Sequence, residues 1–337
     1  MKKKFVLFCM SVGLIGLTAC TKSETKITKE IMAMDTYMTI TCYGVEAKEA
    51  TELALYEIER LDKLWSVGNP ESEVNRLNTG TDMNLSEDSI KVIEKSRYIY
   101  DTTDGAFDIT IRPLMQLWGF EKGVLNIPSE NEVKETLNLC DFKKLSVDID
   151  VLNIEKGMGI DFGGIAKGYT SSRLMDIFGE FNIKYAIVSL GGNIQCYGKK
   201  PDGSAFNIAI TNPDPSDNNG ILGSLKVGEK AVITSGGYER YFTDENTGKK
   251  YCHIIDPRTG YPAESDIQSV TIISTDGMLA DGLSTACYVM GLEKSADYWR
   301  EHKSEFDFVI LAEDGIVYVT AGISDYFETG YEVKIIE

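Results

Sequence analysis

The stretch Asp161-Phe162-Gly163-Gly164-Ile165-Ala166-Lys167-Gly168, running into Tyr169-Thr170-Ser171-Ser172-Arg173-Leu174-Met175, constrains this chain most. It reads as a glycine-rich turn that opens a helix. Glycines let a backbone come close to a ligand without interference from Cβ. The first turn of a helix carries N–H groups without intrahelical partners, which suits an anion. Asp161 before the turn and Lys167 in the first helical turn add one charge of each sign. The GxxxxGK[ST] spacing of a P-loop is absent, and so is GxGxxG. From this stretch alone, a plain glycine-rich helix start with a surface lysine reads equally well.

The N-terminus reads as an export signal. Lys2, Lys3 and Lys4 precede an apolar run from Phe5 to Leu17. That run is too short to span a bilayer and suits the apolar region of a signal peptide. It closes on Leu17-Thr18-Ala19-Cys20, which resembles a bacterial lipobox. Residues 1–19 are therefore expected to be a lipoprotein signal peptide, with Cys20 lipidated. Residues 20–30 are polar and read as a tether, and 31–337 as the folded domain. The expected location is the extracytoplasmic face of a bacterial membrane, held by the lipid. An ordinary secretory signal with an incidental cysteine is the alternative.

Charge narrows the partners. The chain carries a net −18, and loss of the three leader lysines takes it to −21. Such a surface argues against nucleic-acid binding. An anionic ligand would need a local device, such as a metal ion or a helix N-terminus. Beyond Cys9 and Cys20 the cysteines are Cys42, Cys140, Cys196, Cys252 and Cys287, without CxxC spacing. Neither a disulfide framework nor a zinc cluster is expected. Only two histidines occur, His253 and His302.

Periodicity predicts a strand over Met38–Tyr43 and a helix from Ala47 to Leu64, with Leu53, Ile58, Leu61 and Leu64 at helical spacing. Trp65 to Pro70 should end that helix. Ser72–Asn78 reads as a short polar turn or helix. Ser86 is placed to cap a helix reaching Asp101. Ile109–Ile111 follows Gly105-Ala106-Phe107-Asp108, with Pro113 closing the segment. Further strands are expected at Tyr185–Leu190, Phe206–Thr211, Ala231–Thr234, Val270–Ile273, Phe308–Leu311, Ile316–Thr320 and Val333–Ile336, and a helix at Met278–Met290. Helices and strands do not alternate regularly. The expected class is α+β, as one domain with two lobes, mixed or antiparallel sheets and flanking helices.

Three more constellations carry possible chemistry. In Ala280-Asp281-Gly282-Leu283-Ser284-Thr285-Ala286, Asp281 and Thr285 are four apart and share a helix face. A carboxylate and a hydroxyl there suit a hard cation such as Mg²⁺. An exposed Asp beside a core-facing Thr is the plainer reading. In the turn from Cys252 to Pro262, His253 is a natural proton carrier, or an imidazole satisfied by turn backbone. In Thr234 to Phe242, Ser235 and nearby N–H groups either meet a phosphate or form a plain glycine turn.

Together these pieces resemble the ApbE-like FAD:protein FMN transferases. The resemblance runs from Met34-Asp35-Thr36 through Gly105 to Asp108, Asp161 to Gly168, Leu190 to Asn193, Ser235 to Tyr238 and His253 to Pro262 into Ala280 to Ala286. It implies a bilobal α+β fold holding FAD between its lobes, and Mg²⁺-dependent cleavage of the FAD pyrophosphate. The FMN half would join a Thr or Ser hydroxyl of a target flavoprotein through a phosphoester bond, and AMP would leave. By resemblance, Met34, Ala106, Phe107, Asp108, Asp161, Lys167, His253 and Ile254 line the FAD site. Gly164, through its carbonyl, with Asp281 and Thr285 would hold Mg²⁺. His253 is the expected general base, against a role in orienting FAD or bracing the Asp256-Pro257 turn. Three positions depart from the family pattern. Asp35 stands where relatives often have Gly, and Gly237 where a polar residue is common. An aromatic common before the Ser-Glu motif is replaced around Gly68, with Trp65 as its candidate substitute. Two other readings use the same residues: an Mg²⁺-dependent FAD pyrophosphatase, and a flavin-binding lipoprotein without turnover.

Overall fold

The computed structural model describes residues 23–80, 84–121, 123–217 and 220–337. The leader and Cys20 lie outside the described residues. The described chain opens with a hairpin of β1 (Thr25–Ala33) and β2 (Thr36–Gly44). Helices α1 (Ala47–Trp65), α2 (Glu73–Thr79), α3 (Glu87–Thr102), α4 (Arg112–Leu117) and α5 (Glu130–Leu137) follow. A small hairpin, β3 (Ser146–Asp148) and β4 (Val151–Asn153), precedes α6 (Ala166–Gly179). Next come β5 (Ile183–Leu190), β6 (Asn193–Gly198), β7 (Phe206–Thr211), β8 (Ile221–Val227) and β9 (Ala231–Gly236). A second small hairpin, β10 (Tyr241–Thr243) and β11 (Lys250–Cys252), leads to β12 (Ile267–Ser274). Then follow α7 (Gly277–Met290), α8 (Leu292–Glu301), β13 (Phe306–Ala312), β14 (Val317–Thr320), β15 (Phe327–Glu328) and β16 (Val333–Ile336).

Nine strands form one sheet in the order β1-β2-β5-β6-β9-β12-β13-β14-β16. All its neighbours pair antiparallel except β14 and β16, which run parallel. The strands read as apolar on both faces because both are covered. Ala231, Ile233, Val270, Ile272, Phe308 and Ile310 point into the core beneath the helices. Their alternates Val232, Ile273, Val309 and Leu311 face Phe206, Ile208 and Leu225 of the small β15-β8-β7 sheet. The period of two in side-chain direction sorts each strand between the two cores. A third core joins β2 and β5 to α1 and α6 through Met38, Ile40, Ile58, Leu174, Phe178 and Val188. The expected α+β class is what the chain adopts.

Local chemistry sets most boundaries. Ser72 and Ser86 cap α2 and α3 by accepting from the Asn75 and Ser89 N–H groups, at 3.0 and 3.2 Å. Four sequence readings need correction. Residues 25–30, expected in the tether, belong to β1, paired in register with β2. Pro113 opens α4 rather than closing a segment, since its missing N–H is harmless in a first helical turn. Leu53 lies 38% exposed, so the buried stripe of α1 runs through Ala50, Ala54, Ile58, Leu61 and Trp65. Trp65 is itself core: its indole N–H donates to Ser89 Oγ at 2.9 Å, and its ring meets Phe162 and Tyr169 edge-on. A buried, satisfied indole has no face left for a flavin.

Candidate functional site

The site lies where α6 meets α7. At Gly168 a Cβ would collide with the Gly277 carbonyl and with Asp281 Cβ, so this glycine lets the helices touch. That contact brings the Asp281 carboxylate over the first turn of α6. Its Oδ2 accepts the Gly168 N–H at 2.8 Å, and its Oδ1 accepts from Asn193 Nδ2 at 2.9 Å. The helix start is therefore not an open anion cradle, because one of its free N–H groups is already taken. Asp281 is buried and Thr285 half-buried, the reverse of the plainer sequence reading.

Gly164 and Thr285 lie close together. A Cβ at Gly164 would stand 3.7 Å from Thr285 Oγ1 and 3.0 Å from the Phe107 ring. The groups the resemblance assigns to a cation are all oxygens: the Gly164 carbonyl, the Thr285 hydroxyl and the Asp281 carboxylate. That set suits Mg²⁺, which keeps several waters, better than a softer metal. Among the described residues no three His, Cys, Asp or Glu side chains gather as a metal cluster. Asp281 is the acidic ligand assigned to a cation here, and Glu239 is a second carboxylate facing it.

Ser235 is less free than its motif implies. Ser284 Oγ donates to the Asp281 carbonyl at 2.7 Å, so its contact with Ser235 Oγ, also 2.7 Å, needs the Ser235 proton. Ser235 thus ties β9 to α7. Gly237 is small for a steric reason: a Cβ there would strike the Tyr288 hydroxyl.

Charged groups converge from three elements. Lys167 from α6 and Arg240 from the β9–β10 turn both press on His253 electrostatically. Burial, then Arg240, then Lys167 hold its imidazole down to about 4, below its ordinary value. His253 Nδ1 lies 3.1 Å from the Arg240 carbonyl, which also accepts the His253 main-chain N–H at 2.9 Å. Lys167 also faces Glu239, an exposed turn residue whose carboxyl is raised by partial desolvation, drawn down by Lys167 and raised again by Asp281. Burial likewise raises Asp161, opposed first by the Gly163 N–H, which Asp161 Oδ1 accepts at 2.7 Å. Glu121, Arg112 and Arg240 face Asp161.

The other expected flavin contacts are largely committed to structure. Asp108 Oδ1 accepts from the Thr110 N–H and hydroxyl, both at 2.7 Å, and Oδ2 from the Phe142 N–H at 3.1 Å. Burial raises its carboxyl too. Ala106, Phe107 and Ile254 are buried in the main core, so a ligand would meet their main chain. Met34 and Asp35, at φ 48° and 56°, are the two central residues of a primed hairpin turn between β1 and β2. Met34 holds this left-handed conformation with its N–H on Asp62 Oδ1 at 2.9 Å. A polar cavity of about 490 Å³ lies on the flank of Asp108, lined among others by Tyr100, Asp141, Lys143 and Arg258. Its lining includes none of Asp161, Lys167, His253 or Asp281.

Asn193, Glu239 and Arg240 are the site residues that sequence reasoning missed. All three stood inside quoted motifs. Polar side chains flanking Gly-Gly turns were the available signal.

A model of the ApbE family matches residues 34–310. An FAD:protein FMN transferase of Treponema pallidum is 33% identical over 252 residues, covering 69% of this chain and 68% of its own. One from Haemophilus influenzae is 28% identical over 335 residues, covering 94% and 95%. Among solved structures, the ApbE protein of Thermotoga maritima aligns with a TM-score of 0.78 at 31% identity, over 87% of this chain and 96% of that one. The flavin transferase ApbE of Vibrio cholerae gives 0.77 at 24% identity, over 92% and 98%, a likeness of fold. On the family-model match, which spans most of the chain, the chain belongs to the ApbE family.

Proposed function

We infer that this protein is an FAD:protein FMN transferase. The family match across residues 34–310 carries the inference, and relatives bearing that name span most of the chain. We propose that the acceptor is a Thr or Ser hydroxyl of a target flavoprotein. Its oxygen bonds to the FMN-side phosphorus, the P–O bond to the adenylate breaks, and AMP leaves. Mg²⁺ held by the Gly164 carbonyl, Asp281 and Thr285 would neutralise charge on the phosphates.

The chain's own groups have separable parts. Lys167 supplies positive charge beside the start of α6. His253 takes the acceptor proton: a carbonyl only accepts, so the Arg240 contact requires Nδ1–H and leaves the Nε2 lone pair free. Asp161, raised by burial, suits a hydrogen bond to the flavin nucleotide. Export and a lipid on Cys20 remain part of the proposal, supported by the Leu17–Cys20 motif.

The test is incubation with FAD, Mg²⁺ and a co-expressed candidate acceptor, followed by mass spectrometry. Acceptor gaining FMN with matching AMP release supports the transferase. Steady FMN and AMP release from FAD alone, without acceptor labelling, would make the protein a pyrophosphatase. No AMP under either condition would leave only flavin binding.

A further inference from the structure

Arg240 is exposed, has no part in the transfer as proposed above, and makes three contacts that converge on one function. Its main-chain carbonyl accepts both the N–H and the Nδ1–H of His253, at 2.9 and 3.1 Å. Its guanidinium Nη2 donates to the Phe120 carbonyl at 3.0 Å. Phe120 is itself fixed: it is buried, its N–H donates to the Met115 carbonyl at 3.0 Å, and its ring lies 5.7 Å from that of Phe242. A side chain thus moors the residue whose carbonyl holds the imidazole to the turn after α4.

We propose that Arg240 is a positioning residue for His253, its anchored carbonyl fixing the Nδ1–H tautomer and aiming Nε2 away from the turn. The proposal rests on the reading of His253 as the base, but its test does not. The same guanidinium acts a second way. With Lys167 from α6, it is the charge that opposes an imidazolium, adding to burial. Release of the anchor should therefore loosen the tautomer, and loss of the charge should ease protonation.

The chain has two histidines, so ¹⁵N-histidine labelling gives two readable imidazoles. His302 is the internal control: its Nδ1 lies 2.8 Å from the Tyr298 carbonyl and its ring stacks on Tyr298. In the full chain, His253 should appear as the Nδ1–H tautomer with a midpoint near 4. In Arg240→Met, the midpoint should rise above that value but stay below the ordinary imidazole value of about 6.5, because burial and Lys167 still oppose the imidazolium. Signal from the Nε2–H form should appear, while His302 stays unchanged. Arg240→Lys, which keeps the charge without the planar fork, should hold the midpoint low while the tautomer still loosens. An unchanged midpoint and tautomer in Arg240→Met would overturn the proposal. If His302 shows that Arg240→Met has unfolded, Arg240→Gln is judged by the same two readouts. His253→Asn separates the two ideas. Full flavinylation by that variant removes the base and leaves the Arg240 result standing. Loss of flavinylation alongside an unmoved Arg240→Met spectrum does the reverse.

Discussion

Asp281 Oδ2 accepts the Gly168 N–H at 2.8 Å, joining the middle of α7 to the first turn of α6. The same carboxylate is the proposed metal ligand, so one side chain serves packing and chemistry. Asp281→Ala would leave two buried donors, Gly168 N–H and Asn193 Nδ2, without their acceptor. The expected loss is about 2 kcal/mol of stability together with loss of transfer. Asp281→Asn keeps one acceptor and should melt closer to wild type while still failing to transfer. Urea titration and flavinylation assays separate the effects. Wild-type transfer by Asp281→Asn at limiting Mg²⁺ would end the metal assignment.

Gly168→Ala tests the helix contact directly. The added methyl meets backbone at Gly277, which cannot swing aside. We expect a loss of roughly 1–3 kcal/mol. Gly228→Ala is the control, because a Cβ there meets nothing within 4 Å. Equal denaturation midpoints for the two variants would contradict the contact.

Lys167→Ala should weaken FAD binding roughly tenfold, the worth of about one charge-assisted contact, with stability unchanged. Flavin fluorescence titration reads it. Unaltered affinity and rate would return Lys167 to the role of a solvated surface lysine.

His253 gives a signed pH effect. Its imidazole in the folded protein titrates near 4, below the unfolded value of about 6.5. Between those values the unfolded chain binds the proton more readily, so this residue's contribution to stability grows as pH rises through the window. His253→Asn should flatten the difference between denaturation midpoints at pH 4.5 and 6.5. If His253 is the base, the acidic limb of the pH–rate profile should lie near 4. A limb near 6.5 that survives His253→Asn belongs to another group.

Cys20→Ala should move the protein from the membrane fraction to the soluble extract and remove the N-terminal lipid from its mass. A variant still lipidated and membrane-bound would defeat the anchor.

Much of this fold could be seen in the sequence where local chemistry and periodicity agree. Ser86 before an amphipathic run marks α3, and alternation marks β7. β1 escaped notice because it is an edge strand rich in Thr, Lys and Glu, the composition that keeps edges from aggregating and also looks like a linker. At the site, the glycines, Lys167, Asp281, Thr285 and His253 each announced themselves by residue type and spacing. Asn193, Glu239 and Arg240 did not, because their importance comes from turns that fold over the start of α6 and across His253. Nor could spacing say that Asp281 braces two helices. The partner, a glycine N–H, lies 113 positions away in the chain.

The early start of β1 has a spatial consequence. Thr25 already belongs to the sheet, and it stands only five residues beyond Cys20. Even fully stretched, such a link reaches no more than about 18 Å. A lipid on Cys20 would therefore moor the β1 edge beside the headgroups instead of letting the enzyme roam on a long leash. Its search for acceptors would become nearly two-dimensional. Flavoproteins that present their hydroxyl close to the bilayer would be modified, and freely diffusing ones would meet the enzyme far less often.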